Sequence, residues 1–195
     1  MTADATETLS RIVVVGTSCA GKSTFAEHLA GSSGCPRIEL DALHWGANWQ
    51  PRPPEEFRRL VVEAASAQAW VADGNYGAVR ELLWPRAQTI VWLNYSYPRV
   101  LWRALKRTVR RCITREQLWH GNRESVRRSF FTKESILVWV ATTHHRRRRE
   151  FAALRAAGPF QHLSWVEFRH PAQAAQWLVA HRSADQPLRR AGVRP

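Results

Sequence analysis

The segment VVVGTSCAGKSTF, residues 13–25, constrains the fold of this chain more than any other stretch. It begins inside RIVVVG, a run of Ile and Val that predicts a strand buried on both faces. The spacing of Phe25, Leu29 and Ala30 predicts a helix that starts within the same segment. Neither a core strand nor an ordinary turn requires the glycines and the lysine between them. The segment therefore predicts a strand–loop–helix unit of an α/β protein.

The loop in this unit fits the pattern G-x-x-x-x-G-K-[ST] at residues 16–23. Gly16 and Gly21 permit backbone conformations that a Cβ forbids, so that successive N–H groups turn inward and cradle an anion. Lys22 supplies a charge for the β- and γ-phosphates, and the Ser23 hydroxyl can ligate Mg²⁺. The alternative is a glycine-rich turn without a ligand. We predict an ATP and Mg²⁺ site formed by Gly16, Thr17, Ser18, Cys19, Ala20, Gly21, Lys22, Ser23 and Thr24.

The rest of the chain alternates predicted strands with predicted helices. A second strand ends near Asp41, a third stops at Asp73, and two more lie within residues 88–96 and 160–168. The helices are predicted over residues 53–67, 98–112, 115–128, 133–157 and 171–181. This alternation predicts an α/β fold with a parallel sheet, whose ligands bind beyond the carboxyl ends of the strands.

The composition fits one folded domain. The chain has 195 residues, of which 45% are hydrophobic, and we predict a domain over residues 11–182 between a disordered N-terminus (1–10) and a disordered tail (183–195). No stretch approaches the ~18 uncharged apolar residues of a membrane span, and the polar, acidic start MTADATETLSR is unlike a signal peptide. We therefore expect a cytoplasmic protein without a membrane partner.

An aspartate ends the third predicted strand, within the segment WVADGNYGAVR. Asp73 can support Mg²⁺ as the acidic partner of Ser23, or it can cap a helix that starts near residue 77. We predict the metal role. In addition, we predict that Asp73, Asn75, Tyr76 and Arg80 face a substrate.

A second aspartate stands at the tip of the second predicted strand, within LDALHWGANWQP. Asp41 can orient an attacking hydroxyl or receive its proton. The alternative is a capping Asp beside a surface His. We predict that Asp41 is catalytic and that Asp41 and His44 bind the substrate.

The positive charge is concentrated in one part of the sequence. The chain carries a net charge of +13, and residues 99–149 alone hold 15 Lys or Arg against 3 acids. Arg103, Arg107 and Arg110 share one predicted helix face, which is either a phosphate clamp or a solvated basic face. We predict that Arg107 and Arg110 are catalytic and that Arg103 binds the nucleotide. The consecutive arginines 146–149 suit a solvated surface or a nucleic-acid contact.

Several of these motifs together resemble a known family. The loop at residues 16–23 and the segments LDALHW, DGNY, LWPR, VWLNY, LWRALKRTVRR, QLWHGNRE and RHP resemble the bacterial adenylate-kinase-like P-loop proteins often labelled DNA topology modulation proteins. The resemblance implies a three-layer αβα P-loop NTPase fold of the nucleoside-monophosphate-kinase type, with a five-stranded parallel sheet. It also implies a helical basic lid over about residues 103–130 and places Arg169 near the adenine.

Two departures from the family pattern concern the metal and the acceptor. Asn94 stands where an acid is expected, which leaves Asp73 as the better metal residue. The GFPR signature of adenylate kinases is missing, so AMP is not assumed as the acceptor. We predict an ATP-dependent phosphotransferase that acts on a small-molecule or nucleotide acceptor. The alternative is a nucleic-acid-binding P-loop ATPase or regulator that affects DNA topology.

Overall fold

A computed structural model describes residues 10–114, 119–121 and 136–191. Its centre is a sheet of five strands, all parallel, in the order β2-β3-β1-β4-β5. The strands are β1 (Arg11–Gly16), β2 (Arg37–Glu39), β3 (Trp70–Asp73), β4 (Thr89–Leu93) and β5 (Ser164–Phe168). Because β1 is the central strand, the loop that follows it lies at the middle of the carboxyl edge, where chain connections diverge to either side.

Helices cover the sheet and connect its strands. They are α1 (Lys22–Ser33), α2 (Leu40–His44), α3 (Pro54–Ala64), α4 (Arg80–Leu83), α5 (Tyr97–Thr114), α6 (Ile136–Ala157) and α7 (Pro171–Ala191). Single 3-10 turns lie at Ala47–Trp49, Gly77–Val79, Trp84–Arg86 and Trp119–Gly121. Within the described residues, no helix combines the length and the apolar character needed to cross a membrane.

The strands are buried on both faces, as the uninterrupted Ile and Val run of β1 predicts. Val13 and Val15 point to one face and pack into a cluster with Phe57 of α3 and Phe151 of α6. The neighbouring side chains of β1 point to the other face, where Phe25 of α1 contributes to a second cluster with residues of α5 and α7. These layers confirm the predicted three-layer αβα fold with a five-stranded parallel sheet.

Two predicted element boundaries are wrong. The second strand ends at Glu39, and a short helix follows, so Asp41 and His44 lie on α2 rather than at a strand tip. The buried Leu40 and the favourable position of Asp41 in the first helical turn explain this change. The last helix continues to Ala191, beyond its predicted end at residue 181.

Some predictions fall wholly or partly on residues that the structure does not describe. The predicted helix over residues 115–128 and the predicted lid over about 103–130 are described only as far as Thr114 and at Trp119–Gly121. Of the predicted disordered N-terminus, only Ser10 is described. The lid stays a prediction.

Candidate functional site

The loop after β1 has the backbone conformation of an anion-binding nest. Gly16 and Gly21 have φ angles of 147° and 96°, and Cys19 also has a positive φ, at 64°. A Cβ on Gly16 would lie 2.6 Å from the carbonyl oxygen of Leu93, so only glycine fits there. Gly21 precedes α1, and no side chain caps the helix. The first N–H groups of α1 therefore face the loop, where an anion can accept from them.

Asn75 fixes the start of this loop. Its Nδ2 donates to the carbonyl oxygen of Gly16 at 2.5 Å, and its Oδ1 accepts from the Gly16 N–H at 3.4 Å. The carboxamide thus pairs with the Gly16 backbone as a neighbouring strand would. Its carboxamide therefore holds the start of the loop, and the role of Asn75 toward a substrate stays a prediction.

Lys22 lies near enough to both predicted carboxylates for their charges to act on its ammonium group. Its Nζ donates to the carbonyl oxygen of Thr17 at 3.2 Å, which folds the side chain back over the loop. Burial lowers the pKa of Lys22, while the negative charges of Asp41 and Asp73 oppose this shift. The structure therefore brings together the loop lysine, the predicted metal residue and the predicted acceptor residue, although the aspartates are 32 positions apart in sequence.

Asp73 is buried and engages both Ser23 and a residue of β2. The Ser23 hydroxyl donates to Asp73 Oδ2 at 2.7 Å, and Arg37 Nε donates to Oδ1 at 3.0 Å. Asp73 does not cap the turn at Gly77–Val79, because the residue in the capping position is Tyr76. We did not predict a role for Arg37 from the sequence. The available signal was its alternation with Glu39 along β2, where the two residues form an ion pair of 3.0 Å.

The oxygen atoms of Ser23 and Asp73 are a suitable set for Mg²⁺. Hydroxyl and carboxylate oxygens are hard donors, which Mg²⁺ prefers. Within the described ranges, no group of three or more His, Cys, Asp or Glu side chains could hold a metal alone.

Asp41 lies in an aromatic environment. The Tyr76 hydroxyl donates to Asp41 Oδ1 at 2.6 Å, and burial together with the charge of Asp41 raises the pKa of Tyr76. The ring of His44 packs against Tyr76 and Phe57, with centroids 4.7 and 5.1 Å away. Burial lowers the pKa of His44, and the charge of Asp41 opposes this shift. Asp41 does not cap α2, because the residue in the capping position is Glu39.

Of the predicted arginines of α5, Arg103 lies against the loop. A Cβ on Gly21 would lie 2.6 Å from Nη2 of Arg103, so this guanidinium lies directly against the loop. The positive charge of Arg107 contributes to the lowered pKa of Lys22. Both side chains are half-buried, whereas Arg110 is exposed.

The other two predicted arginines have partners elsewhere. Arg80 forms an ion pair with Glu150 of α6 and lies over the Trp84 ring, 5.0 Å from its centroid. Arg169 donates from Nε to Glu167 at 2.9 Å. Within the described residues, neither guanidinium has a hydrogen bond to the loop or to Asp41.

Comparisons with known proteins identify similar folds. Neither the protein-family models nor the curated proteins gave a match. A gluconokinase from Sinorhizobium meliloti 1021 aligns with a TM-score of 0.52 and 20% identity, over 95% of this chain and 98% of that chain. A protein described as a kinase from Chloroflexus aurantiacus aligns with a TM-score of 0.51 and 16% identity, over 91% and 98%. At these identities, the two similarities show a shared fold.

Proposed function

We propose that this chain is an ATP- and Mg²⁺-dependent kinase that phosphorylates a hydroxyl group of a small molecule. The observation that carries the proposal is that Asp73, bound to Ser23, and Asp41, bound to Tyr76, both lie near enough to Lys22 of the loop for their charges to act on its ammonium group. The Asp73 carboxylate suits a metal ion bound to the phosphates, and the Asp41 carboxylate suits the acceptor hydroxyl that attacks the γ-phosphate. The shared fold with proteins named as kinases supports the same reaction class.

The phosphate side of the site consists of the loop and its two metal residues. The N–H groups of residues 16–23 and the Lys22 ammonium bind the β- and γ-phosphates, and Ser23 and Asp73 hold Mg²⁺. When bound, the ion neutralises charge that develops on the phosphate oxygens. Asn75 keeps the loop open for the phosphates through its two hydrogen bonds with Gly16.

The acceptor side is centred on Asp41. Tyr76 occupies one oxygen of the carboxylate, and we assign the second oxygen to the acceptor hydroxyl. In the transfer, the acceptor oxygen forms a bond to the γ-phosphorus, and the bond from that phosphorus to the bridging oxygen of ADP breaks. The hydroxyl proton passes to Asp41, so that the products are ADP and a phosphorylated acceptor.

Arg103 and Arg107 complete the site from the α5 side. A guanidinium near the transferring group stabilises its charge, and a lid that excludes water prevents simple hydrolysis of ATP. We assign the clamp to these two residues rather than to Arg110, because Arg110 is exposed. The lid over about residues 103–130 and the placement of adenine near Arg169 are parts of the same proposal.

The test measures phosphate transfer from labelled ATP to a panel of sugars, sugar acids, nucleosides and nucleotides. Lys22→Ala is expected to abolish ATP binding. Asp41→Asn keeps ATP binding but lowers kcat by about 10²–10⁴-fold, the usual contribution of a general base. The control is Arg59→Ala, which removes an exposed cation from α3 and changes neither value.

Two results would refute the proposal. One is a panel in which no acceptor is phosphorylated and none changes the rate of ATP loss. The other is a Lys22→Ala variant that binds ATP as tightly as the parent. In the first case, the nucleic-acid-binding ATPase becomes the better explanation.

A further inference from the structure

Aromatic side chains form a row of rings that begins beside the acceptor aspartate. Tyr76, whose hydroxyl donates to Asp41, contacts the ring of His44 with centroids 4.7 Å apart. His44 in turn contacts the ring of Trp45, edge to face, also at 4.7 Å. The carboxylate that we assign to the acceptor hydroxyl therefore lies at one end of this row.

Two further tryptophans continue the row. Trp45 contacts Trp49 at a centroid distance of 5.8 Å, and Trp49 contacts Trp119 at 6.2 Å, both edge to face. All three indoles are only partly buried, so that part of each remains accessible to a ligand. An indole offers a large apolar face with a single N–H at its edge, which suits a ring compound that is apolar on one face and polar at its rim.

The backbone is unusual in both segments that carry the outer tryptophans. Asn48 and Trp49 have φ angles of 56° and 57°, and His120 has a φ of 55°. Such left-handed conformations are uncommon for residues other than glycine, and they cluster at ligand sites. The two segments also approach each other, because His120 Nε2 lies 3.3 Å from the carbonyl oxygen of Ala42. The turn at Trp119–Gly121 is thus held against the acceptor side.

The acceptor side carries no excess of positive charge, although the whole chain has a net charge of +13. Residues 37–80 include Asp41 and the first four rings of the row, and they hold five arginines, no lysine and six carboxylates. Each of the five arginines forms an ion pair with a carboxylate. The pairs are Arg37 with Glu39 and Asp73, Arg52 with Glu56, Arg58 with Glu81, Arg59 with Glu63, and Arg80 with Glu150.

These ion pairs discriminate between acceptors by charge. A carboxylate or phosphate on the acceptor would need a cation, and it could recruit one from residues 37–80 only by displacing a carboxylate of the protein. Lys22, Arg103 and Arg107 are assigned to the nucleotide. An uncharged acceptor requires no such displacement.

We propose that the acceptor is an uncharged ring compound that carries hydroxyl groups: a neutral sugar, a cyclitol or a nucleoside. This inference rests on the proposed kinase reaction and names the class of acceptor that the reaction uses. One hydroxyl of the ring donates to Asp41, and the apolar face of the ring packs against Trp49 and Trp119. These two tryptophans determine specificity for a ring, and the paired arginines determine specificity against an anion.

Matched pairs of acceptors test the charge of the substrate. Glucuronate and its methyl ester, glucose 1-phosphate and methyl glucoside, and orotidine and uridine keep the same free hydroxyl groups within each pair, and one member alone carries the anionic group. Phosphate transfer from labelled ATP is measured for each compound. We expect kcat/KM of the uncharged member to exceed that of its anionic counterpart at least about tenfold. The sugar and nucleoside pairs show which source of the ring the protein uses.

Tryptophan variants test the contact with the ring. Trp49→Ala is expected to raise KM for the uncharged acceptor at least about tenfold, while calorimetry shows unchanged ATP affinity. Trp119→Ala is the second variant, and because its indole lies on a separate turn, the two are tested independently. The matched control is Trp102→Ala, which removes an indole that is 60% exposed on α5 and changes neither value.

A charge variant tests the role of the ion pairs. Glu56→Gln releases Arg52 from its partner at 2.7 Å and should raise kcat/KM for the anionic members at least about tenfold. Glu63→Gln, which breaks the exposed pair with Arg59 on the same helix, should leave kcat/KM unchanged.

The outcomes separate this inference from the proposed kinase reaction. Phosphorylation of the anionic members as efficiently as the uncharged ones would overturn the inference and leave the kinase reaction intact. The inference also fails if both tryptophan variants keep the parent KM, or if Glu56→Gln behaves like Glu63→Gln. If no compound is phosphorylated and none changes the rate of ATP loss, the kinase reaction itself fails, and the inference fails with it.

Discussion

Gly16→Ala tests whether the start of the loop is built for glycine alone. Gly16 pairs with Leu93 across β1 and β4, and its φ of 147° is rarely adopted by other residues. An added Cβ would lie 2.6 Å from the Leu93 carbonyl oxygen and 3.2 Å from the Leu93 Cβ. Both atoms belong to β4, which is paired with a strand on each side, so neither can move away without disturbing the sheet.

The expected loss of stability follows from the unusual backbone conformation of Gly16 and from the close contact of the added Cβ with Leu93. A residue held in a sparsely populated backbone conformation costs about 1–3 kcal/mol, and an overpacked methyl group costs about the same. The free energy of unfolding should therefore fall by roughly 2–6 kcal/mol. For a chain of this size, 1 kcal/mol corresponds to about 2–4 °C, so Tm should fall by at least about 4 °C.

The measurement is thermal unfolding followed by far-UV circular dichroism, without nucleotide, so that only the fold is tested. Gly31→Ala is the matched control, because Gly31 lies inside α1 with no atom within 4 Å of the added Cβ. That change should stabilise the protein by roughly 0.5–1 kcal/mol, since alanine favours helices. A Gly16→Ala variant that melts within 2 °C of the parent would refute the reasoning.

Two further predictions concern Asn75 and His144. Asn75→Ala removes both hydrogen bonds to Gly16 and should lower the free energy of unfolding by about 1–3 kcal/mol and weaken ATP binding; unchanged ATP affinity in calorimetry would show that the loop does not depend on Asn75. Burial lowers the pKa of His144 below its ordinary value of 6.5. The charges of His145 and Arg148 also lower this pKa, whereas the hydrogen bond with the Tyr95 backbone raises it. As the pH falls below about 6.5 the unfolded chain takes up this proton first, so stability declines. Because glutamine does not titrate, the urea midpoint of the His144→Gln variant should fall less between pH 7.5 and 5.5 than that of the parent. An equal fall in both proteins would contradict this prediction.

Much of the site was predictable because its residues form a continuous segment. The Ile and Val run, the two glycines and the Lys22-Ser23 pair define a strand, a nest and a helix start within 13 residues. The end of an apolar strand likewise marked Asp73, because the carboxyl ends of parallel strands meet at one edge of the sheet. The five-stranded parallel sheet followed from the alternation of strands and helices together with the family resemblance.

The assignment of partners depended on contacts between distant segments. Spacing placed Arg103, Arg107 and Arg110 on one helix face. Only the packing of α5 determined that Arg103 lies against the loop and Arg107 is half-buried, while Arg110 is exposed. Similarly, only the packing of α6 determined that Arg80 pairs with Glu150, 70 residues away.

The sequence by itself determined the strand–loop–helix unit that contains Gly16 and Lys22, since backbone sterics and side-chain periodicity act over a few residues. Tertiary structure alone decided that Asn75 holds Gly16, that Arg37 shares Asp73 with Ser23, and that Tyr76 binds Asp41. Each of these contacts joins segments at least 35 residues apart. Their geometry depends on how the elements between them pack, which no local pattern of residues encodes.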